Sequence, residues 1–242
     1  MKKDYHLVSF SGGKDSTAML LHMLELGMQV DEIIFCDTSV EFPAMYDHVD
    51  KVEKYIGRPI TRLKNDKSFE YYLLYHEYKP RPSNRRTQGY SFPSSLYRWC
   101  TSKLKTDILT KKKKSLEKNY NVIYHVGIAA DEIHRIKDLN YPLIDWGWTE
   151  ADCLKYCYDK GFDWGGLYKL FRRVSCWCCP LKSLSELRQL RKHFPDLWSQ
   201  LLDWQHKTWR KFRRDYSVDD LEFKFAKEDE AKLNQISFNL QR

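Results

Sequence analysis

Ser11-Gly12-Gly13-Lys14-Asp15-Ser16 follows the apolar run Leu7-Val8-Ser9-Phe10 and precedes Thr17-Ala18-Met19-Leu20-Leu21. That order reads as a strand, a glycine turn and the first turn of a helix. Such a junction aims backbone N–H groups and the positive end of a helix at one small volume, which suits a phosphate. Gly12 and Gly13 let the backbone turn and an anion approach closely. Lys14 adds a point charge, Ser11 and Ser16 add hydroxyl donors, and Asp15 is a candidate ligand for magnesium beside bound phosphates. The stretch is not a Walker A loop, because the required earlier glycine is missing and Asp15, not Ser or Thr, follows the lysine. A plain helix cap at Ser16 or Asp15 is the simpler alternative. It leaves the convergence of phosphate-binding groups unexplained.

Outward from the loop, strand and helix patterns alternate. His6 to Phe10 is the first strand and a helix runs on to about Met28, with Gly27 near its end. Glu32-Ile33-Ile34-Phe35-Cys36 reads as a buried parallel strand ending in Asp37-Thr38. Phe42-Pro43 opens a helix carrying Met45, Val49, Val52 and Ile56, which Gly57 closes. Ile60 to Leu63 is a third strand and Asn121 to Val126 a fourth. The alternation predicts an α/β fold: a Rossmann-like, doubly wound, mostly parallel sheet with a C-terminal helical extension. The expected division is a nucleotide-binding α/β domain over 1–180, including a cysteine knuckle, and a helical extension over 181–242. Ligands in such sheets sit beyond the carboxyl ends of the strands. Asp37, Thr38 and Glu41 lie there with the glycine loop. So does Gly127-Ile128-Ala129-Ala130-Asp131-Glu132, with Arg135 just beyond.

The rest of the chain adds smaller signals. Ser68 to Tyr78 looks helical, and 79 to 95 reads as a long basic loop, either a flap over an anionic substrate or a solvated segment. Arg98-Trp99-Cys100-Thr101 precedes a helix through Leu104, Ile108 and Leu109 that ends in four lysines, as a helix C-terminus favours. Tyr141 to Trp146 reads as extended. Thr149 and Asp152 form a capping box for a helix whose Cys153 and Cys157 belong in the core. Lys207, Arg210, Lys211, Arg213 and Arg214 alternate with Trp209 and Phe212, a pattern open to nucleic acid or to ordinary packing. Ser217 caps a last, short helix.

The chain has 242 residues, a formal charge of +8 and seven cysteines. The charge favours polyanionic partners, nucleotides first and nucleic acid second. No apolar run approaches membrane-spanning length, and Met1-Lys2-Lys3-Asp4 leads into a strand, so no membrane partner and a cytoplasmic location are expected. There, thiols stay reduced, and clustered cysteines point to metal or reactive thiols. Cys176-Trp177-Cys178-Cys179-Pro180 packs three thiols into four residues, and Cys100 is the best candidate for a fourth, with His193 a weaker one. The expected centre is a four-thiolate zinc or an iron–sulfur cluster; a redox dithiol is the alternative.

Ser11 to Ser16 resembles the PP-loop of the adenine-nucleotide α-hydrolase superfamily. Asp37-Thr38-Ser39-Val40-Glu41-Phe42-Pro43 is similar to the second signature of its phosphoadenosine phosphosulfate reductase branch. Arg98-Trp99-Cys100 with Lys103 and Lys105 resembles that branch's cysteine-plus-basic motif. Gly127 to Glu132 and Pro142 to Trp146 fit its later segments. The resemblance implies that Ser11, Gly12, Gly13, Lys14, Asp15, Ser16, Asp37, Thr38, Glu41 and Gly127 bind an adenine nucleotide such as ATP, with Mg2+. It implies that Lys14, Asp15, Asp131 and Arg135 act in catalysis and that Arg98, Lys103, Lys105 and Glu132 hold substrate. It favours a 4Fe-4S cluster on Cys100, Cys176, Cys178 and Cys179 over zinc. Reductases of the family use a cysteine in the C-terminal tail, and no cysteine follows Cys179. The expected activity is therefore ATP-dependent adenylation with pyrophosphate release, coupled to sulfur transfer, nucleic acid being one acceptor. A sulfonucleotide reductase and a non-catalytic nucleotide- or nucleic-acid-binding protein are the alternatives. A sulfur donor or thioredoxin-like protein, and a homodimer, complete the expected partners.

Overall fold

The computed structural model describes residues 2–79, 87–137 and 139–240, with side chains through 235. Residues 80–86 of the basic loop lie outside that range. The chain divides into two compact units: 1–68 with 100–176, and 69–99 with 177–242.

The first unit is a four-stranded, wholly parallel sheet. Its strands are β1 (Lys3–Ser9), β2 (Glu32–Asp37), β3 (Thr61–Lys64) and β4 (Tyr120–Val126), in the order β3-β2-β1-β4. Leu7 pairs with Glu32 on one side of β1 and with Tyr124 on the other. Between them run α1 (Lys14–Glu25), α2 (Pro43–Ile56), α3 (Trp99–Thr101) and α4 (Asp107–Leu116). The order steps outward from β1 through β3, then returns to the far side of β1 for β4. That reversal opens a crevice beyond the carboxyl ends of β1 and β4, where sheets of this kind take ligands.

Local chemistry explains the elements. The β2 core residues Ile33, Ile34 and Phe35 are buried, as expected of a strand covered on both faces. Pro43 sits in the first turn of α2, where its missing N–H is harmless, and Gly57 ends it in the left-handed region with φ +61°. Thr149 and Asp152 form the expected capping box on α6 (Glu150–Asp159), which follows α5 (Pro142–Asp145). Cys153 and Cys157 are fully buried on α6, as core thiols. The segment expected to be extended, Tyr141 to Trp146, is instead the short helix α5. Pro142 starts it, and Ile144 N–H and Asp145 N–H both return to the Tyr141 carbonyl. Trp99 and Cys100 lie inside a helix rather than before one. A π-helical turn, Ser102–Thr106, joins α3 to α4.

His48 of α2 is 3% exposed and His125 of β4 is 5% exposed. Burial pushes the pKa of His48 down to about 3; burial, then the neighbouring His6, pushes that of His125 down to about 4. Below the ordinary value of 6.5, the unfolded chain takes up protons that these folded imidazoles refuse. Stability therefore falls as pH drops through that window, by roughly 1.4 kcal/mol per pH unit for each histidine. Urea unfolding between pH 6 and 4.5 is expected to show this slope, and His48→Gln to reduce it by about one proton's worth. An unchanged slope in His48→Gln refutes the assignment.

The second unit is helical. It holds α8 (Leu184–His193), α9 (Pro195–Lys207) and α10 (Val218–Leu240), with a π-helical turn at Tyr71–Tyr75. A further short helix, α7 (Leu167–Leu170), belongs to the first unit. The second core is aromatic: Trp204 stacks on Trp177 at 5.1 Å and lies 5.6 Å from Phe69, and its indole N–H donates to Glu70 at 3.1 Å. Ser217 and Asp220 cap α10, which is 23 residues long, not short. Its apolar Val218, Leu221 and Phe225 fix it to the core. Beyond Lys207, the last residue of α9, the basic stretch 208–214 is irregular rather than helical. Lys207 pairs with Asp203, Lys211 with Asp220 and Arg213 with Asp215, while Phe212 is buried. Arg191 donates to both Glu222 oxygens at 2.9 and 2.8 Å and to Asp229 at 2.6 Å, clasping α8 to α10. Trp198 also donates to Glu222, so Arg191→Met leaves that carboxylate short of its cation. The expected loss is about 1–3 kcal/mol, read from the urea midpoint.

Candidate phosphate and carboxylate site

The glycine loop is built as its sequence requires. After β1, Phe10 N–H donates to Ile34 O, and the chain turns at Gly12 with φ +76°. A Cβ at Gly12 would stand 2.6 Å from the Met45 sulfur, so conformation and space both select glycine. The Gly12 carbonyl accepts the buried Trp164 indole N–H at 2.7 Å. Trp164 stacks on His48 at 4.4 Å, and His48 Nε2 lies 2.9 Å from Thr17 Oγ1. Ser16 Oγ donates to Gly13 O at 3.0 Å and accepts Ser11 N–H at 3.1 Å. Lys14 N–H, in the first turn of α1, donates to the Tyr168 hydroxyl at 2.8 Å. Gly127, just past β4, approaches α1 so closely that a Cβ would lie 2.7 Å from Ser16 Cα.

Beside the loop lies a group of opposed charges. Lys14 Nζ donates to Asp15 at 2.9 and 3.1 Å and to Glu150 at 2.7 Å. Burial alone would lower the lysine's pKa, but Asp15 and Glu150 outweigh it and hold the value above normal. Burial raises the Asp15 pKa, and Lys14 offsets this only in part. Glu150 stays low despite burial, because Lys14 holds it. Buried Glu132 takes Arg173 at 2.7 Å and also pairs with Arg135. Asp131 accepts the Glu150 backbone N–H at 3.0 Å, and Arg172 lies 3.9 Å from Glu150. Oxygens of Asp15, Glu132 and Glu150 lie within 4.8 Å of one another, a donor set suited to a hard divalent cation.

A second group forms past β2. Buried Glu41 accepts Thr38 Oγ1 at 2.8 Å and the Cys176 thiol at 3.8 Å, and Lys105 lies 3.8 Å away. Thr38 Oγ1 is 3.6 Å from Cys176 Sγ. Burial would lower the Lys105 pKa, yet Glu41, then Cys176, Cys36 and Cys100, raise it. Burial pushes the Cys36 thiol up to about 11, against the pull of Lys105. Asp37 accepts Ser39 N–H at 2.7 Å and Tyr46 OH at 2.8 Å, with Lys64 at 3.2 Å. Lys103 pairs with Asp107 at 3.1 Å. Arg98, Cys178 and Cys179 belong to the second unit; Arg98 is exposed and Cys178 buried. None of the seven cysteines forms a disulfide.

The structure thus brings Ser11 to Ser16, Gly127, Asp131, Glu132 and Arg135 into one connected group. Thr38, Glu41, Lys105 and Cys176 form a second. Sequence reasoning missed Glu150, Tyr168, Trp164, His48, Arg173 and Cys36. Glu150 was hidden by its place after the Thr149 cap, where an acidic residue is ordinary. Tyr168 carries no sequence signal at all.

Comparison with known proteins places the chain. It is 30% identical over 227 residues to the uncharacterized protein MJ0066 of Methanocaldococcus jannaschii, covering 87% of this chain and 42% of the relative. It is 28% identical to MJ0973 of the same organism, covering 83% of this chain and 48% of the relative. The chain therefore spans less than half the length of either. A phosphoadenylyl-sulfate (PAPS) reductase from Candida auris, solved as a phosphate complex, aligns with TM-score 0.47 and 16% identity, over 73% of this chain and 82% of that one. The phosphoadenosine phosphosulfate reductase domain model matches residues 5–182. On that match the chain belongs to the phosphoadenosine phosphosulfate reductase domain family, within the PP-loop superfamily.

Proposed function

We propose that this protein is an ATP-using PP-loop enzyme that adenylates an acceptor and releases pyrophosphate. The observation that carries this is the glycine loop at the sheet's crevice, with Lys14 beside the carboxylates of Asp15, Glu132 and Glu150. The loop N–H groups and Ser11 hold the phosphates. An acceptor oxygen attacks the α-phosphorus, the bond to the bridging oxygen breaks, and pyrophosphate leaves. Lys14 stabilises the charge that develops on the leaving group. Asp15, Glu132 and Glu150 fit a magnesium ion, which would supply further charge neutralisation. Asp131 sets the position of Glu150, and Arg135 that of Glu132. Asp37, Thr38, Glu41 and Gly127 complete the nucleotide edge, and the cations Lys103 and Lys105, together with Arg98 of the sequence motif, are assigned to an anionic acceptor. Hydrosulfide then attacks the adenylated atom of the acceptor, the bond to the AMP oxygen breaks, and AMP leaves with the thiolated acceptor as product, a nucleic acid being one candidate acceptor. The sequence run Cys176-Trp177-Cys178-Cys179, with Cys100 as a fourth thiol, is of the kind that would ligate an iron–sulfur cluster, and such a cluster would bind that sulfur. The family match favours one second reading, a sulfonucleotide reductase.

One assay separates these. Anaerobically purified protein is given Mg-ATP in one arm, and phosphoadenosine phosphosulfate with reduced thioredoxin in the other. Pyrophosphate in the first arm supports adenylation. Sulfite in the second, without pyrophosphate in the first, replaces it with reduction. Tight nucleotide binding without either product leaves a binding protein. Iron and sulfide analysis of the same sample tests the cluster, and zinc alone refutes it.

A further inference from the structure

The geometry points to Tyr168, far from the glycine loop in sequence, as a phosphate-binding residue that completes the loop from outside. The inference rests on reading the loop as a nucleotide phosphate site. Gly13 has φ −75°, which any residue adopts. A Cβ there would sit in ordinary van der Waals contact, 3.5 Å from Ser11 Oγ and 3.5 Å from the Tyr168 hydroxyl. The missing side chain leaves a small hollow with a hydroxyl on either side, at the N-terminus of α1. Ser16 Oγ gives its own proton to Gly13 O and takes that of Ser11 at 3.0 Å, so a phosphate oxygen there meets the Tyr168 O–H as its hydroxyl donor.

The hydroxyl is held for this task. It accepts Lys14 N–H at 2.8 Å, which polarises its own O–H and makes it a better donor. Among the described residues, the hydroxyl has no other hydrogen-bond partner, so its proton is free for a ligand. The ring is fixed edge-on against Trp164 at 4.8 Å, and Trp164 itself grips the Gly12 carbonyl. Loop and tyrosine are thus set by one aromatic support. Burial raises the phenol's pKa, so it stays a donor at neutral pH.

Calorimetry with ATP, inorganic pyrophosphate and adenosine tests the assignment. Losing a hydrogen bond to a charged group is expected to weaken ATP and pyrophosphate binding by about tenfold or more in Tyr168→Phe, with adenosine affinity unchanged. Gly13→Ala, which fills the hollow, is expected to weaken the same two ligands, and it carries the test if Tyr168→Phe does not fold. Equal or tighter pyrophosphate binding in Tyr168→Phe overturns the assignment, because the hydroxyl then merely occupies the loop. An equal loss for adenosine also overturns it, as general distortion. A wild-type protein that binds neither ATP nor pyrophosphate fails the nucleotide reading, and this assignment with it.

Discussion

Lys14→Ala is expected to lower the rate of pyrophosphate release from ATP by roughly 10²–10³-fold, the usual cost of removing one charged donor from a leaving group. The geometry makes the loss larger than that of a single contact. Lys14 Nζ binds both Asp15 and Glu150, and these share their space with Glu132. Without the cation, three carboxylates face one another. Asp15, whose pKa burial already raises, then takes up a proton more readily. The pH profile of the residual activity should move upward accordingly. Lys14→Arg keeps the charge but not the compact ammonium, so it should recover binding more than rate. Steady-state kinetics with a pyrophosphate-coupled readout checks this. A Lys14→Ala rate within threefold of wild type removes the lysine from the chemistry.

Gly127→Ala is the second large effect, and it comes from space rather than charge. The new Cβ would lie 2.7 Å from Ser16 Cα and 2.8 Å from Ser16 N. Both are backbone atoms, so no side chain can swing away to relieve the clash. The start of α1 must retreat from the end of β4, carrying Ser16 and the loop hydrogen bonds with it. Overpacking of this kind costs about 1–3 kcal/mol. A shift near 1 Å at a phosphate loop also costs about 10²-fold in activity. Urea unfolding and pyrophosphate release should both register the change. Gly161→Ala is the control: its Cβ meets nothing within 4 Å, so only its left-handed backbone is strained. Equal behaviour of the two variants would show that the close approach at Gly127 does not matter.

The parallel sheet was readable because each element carried its own local signal. Ile33 to Phe35 announced a covered strand, and Pro43, Gly57 and the Thr149–Asp152 box marked helix ends through backbone chemistry. The strand order was implied only as a class, since pairing is long-range. Tyr141 to Trp146 misled because four residues cannot display a helical period, and its turn is held by tertiary burial of Leu143. The glycine loop was legible as a local device, but its partners were not. Glu150 and Tyr168 reach Lys14 across 136 and 154 residues of chain, a separation no motif records. The basic stretch 207–214 read as ambiguous for the opposite reason. Phe212 is core, and only the fold separates it from exposed Lys211.

Arg172 and Arg173 hold Glu150 and Glu132, and three residues later Cys176 touches Glu41 and Thr38. Three peptide units reach at most about 11 Å when fully drawn out. The segment from Arg173 to Cys176 is therefore a tether of fixed maximum length between the acidic group and a thiol. However the neighbouring loops rearrange, that sulfur cannot drift beyond the tether while the arginine keeps its grip. Lengthening the segment by inserted glycines would separate the two chemistries without touching a side chain of either.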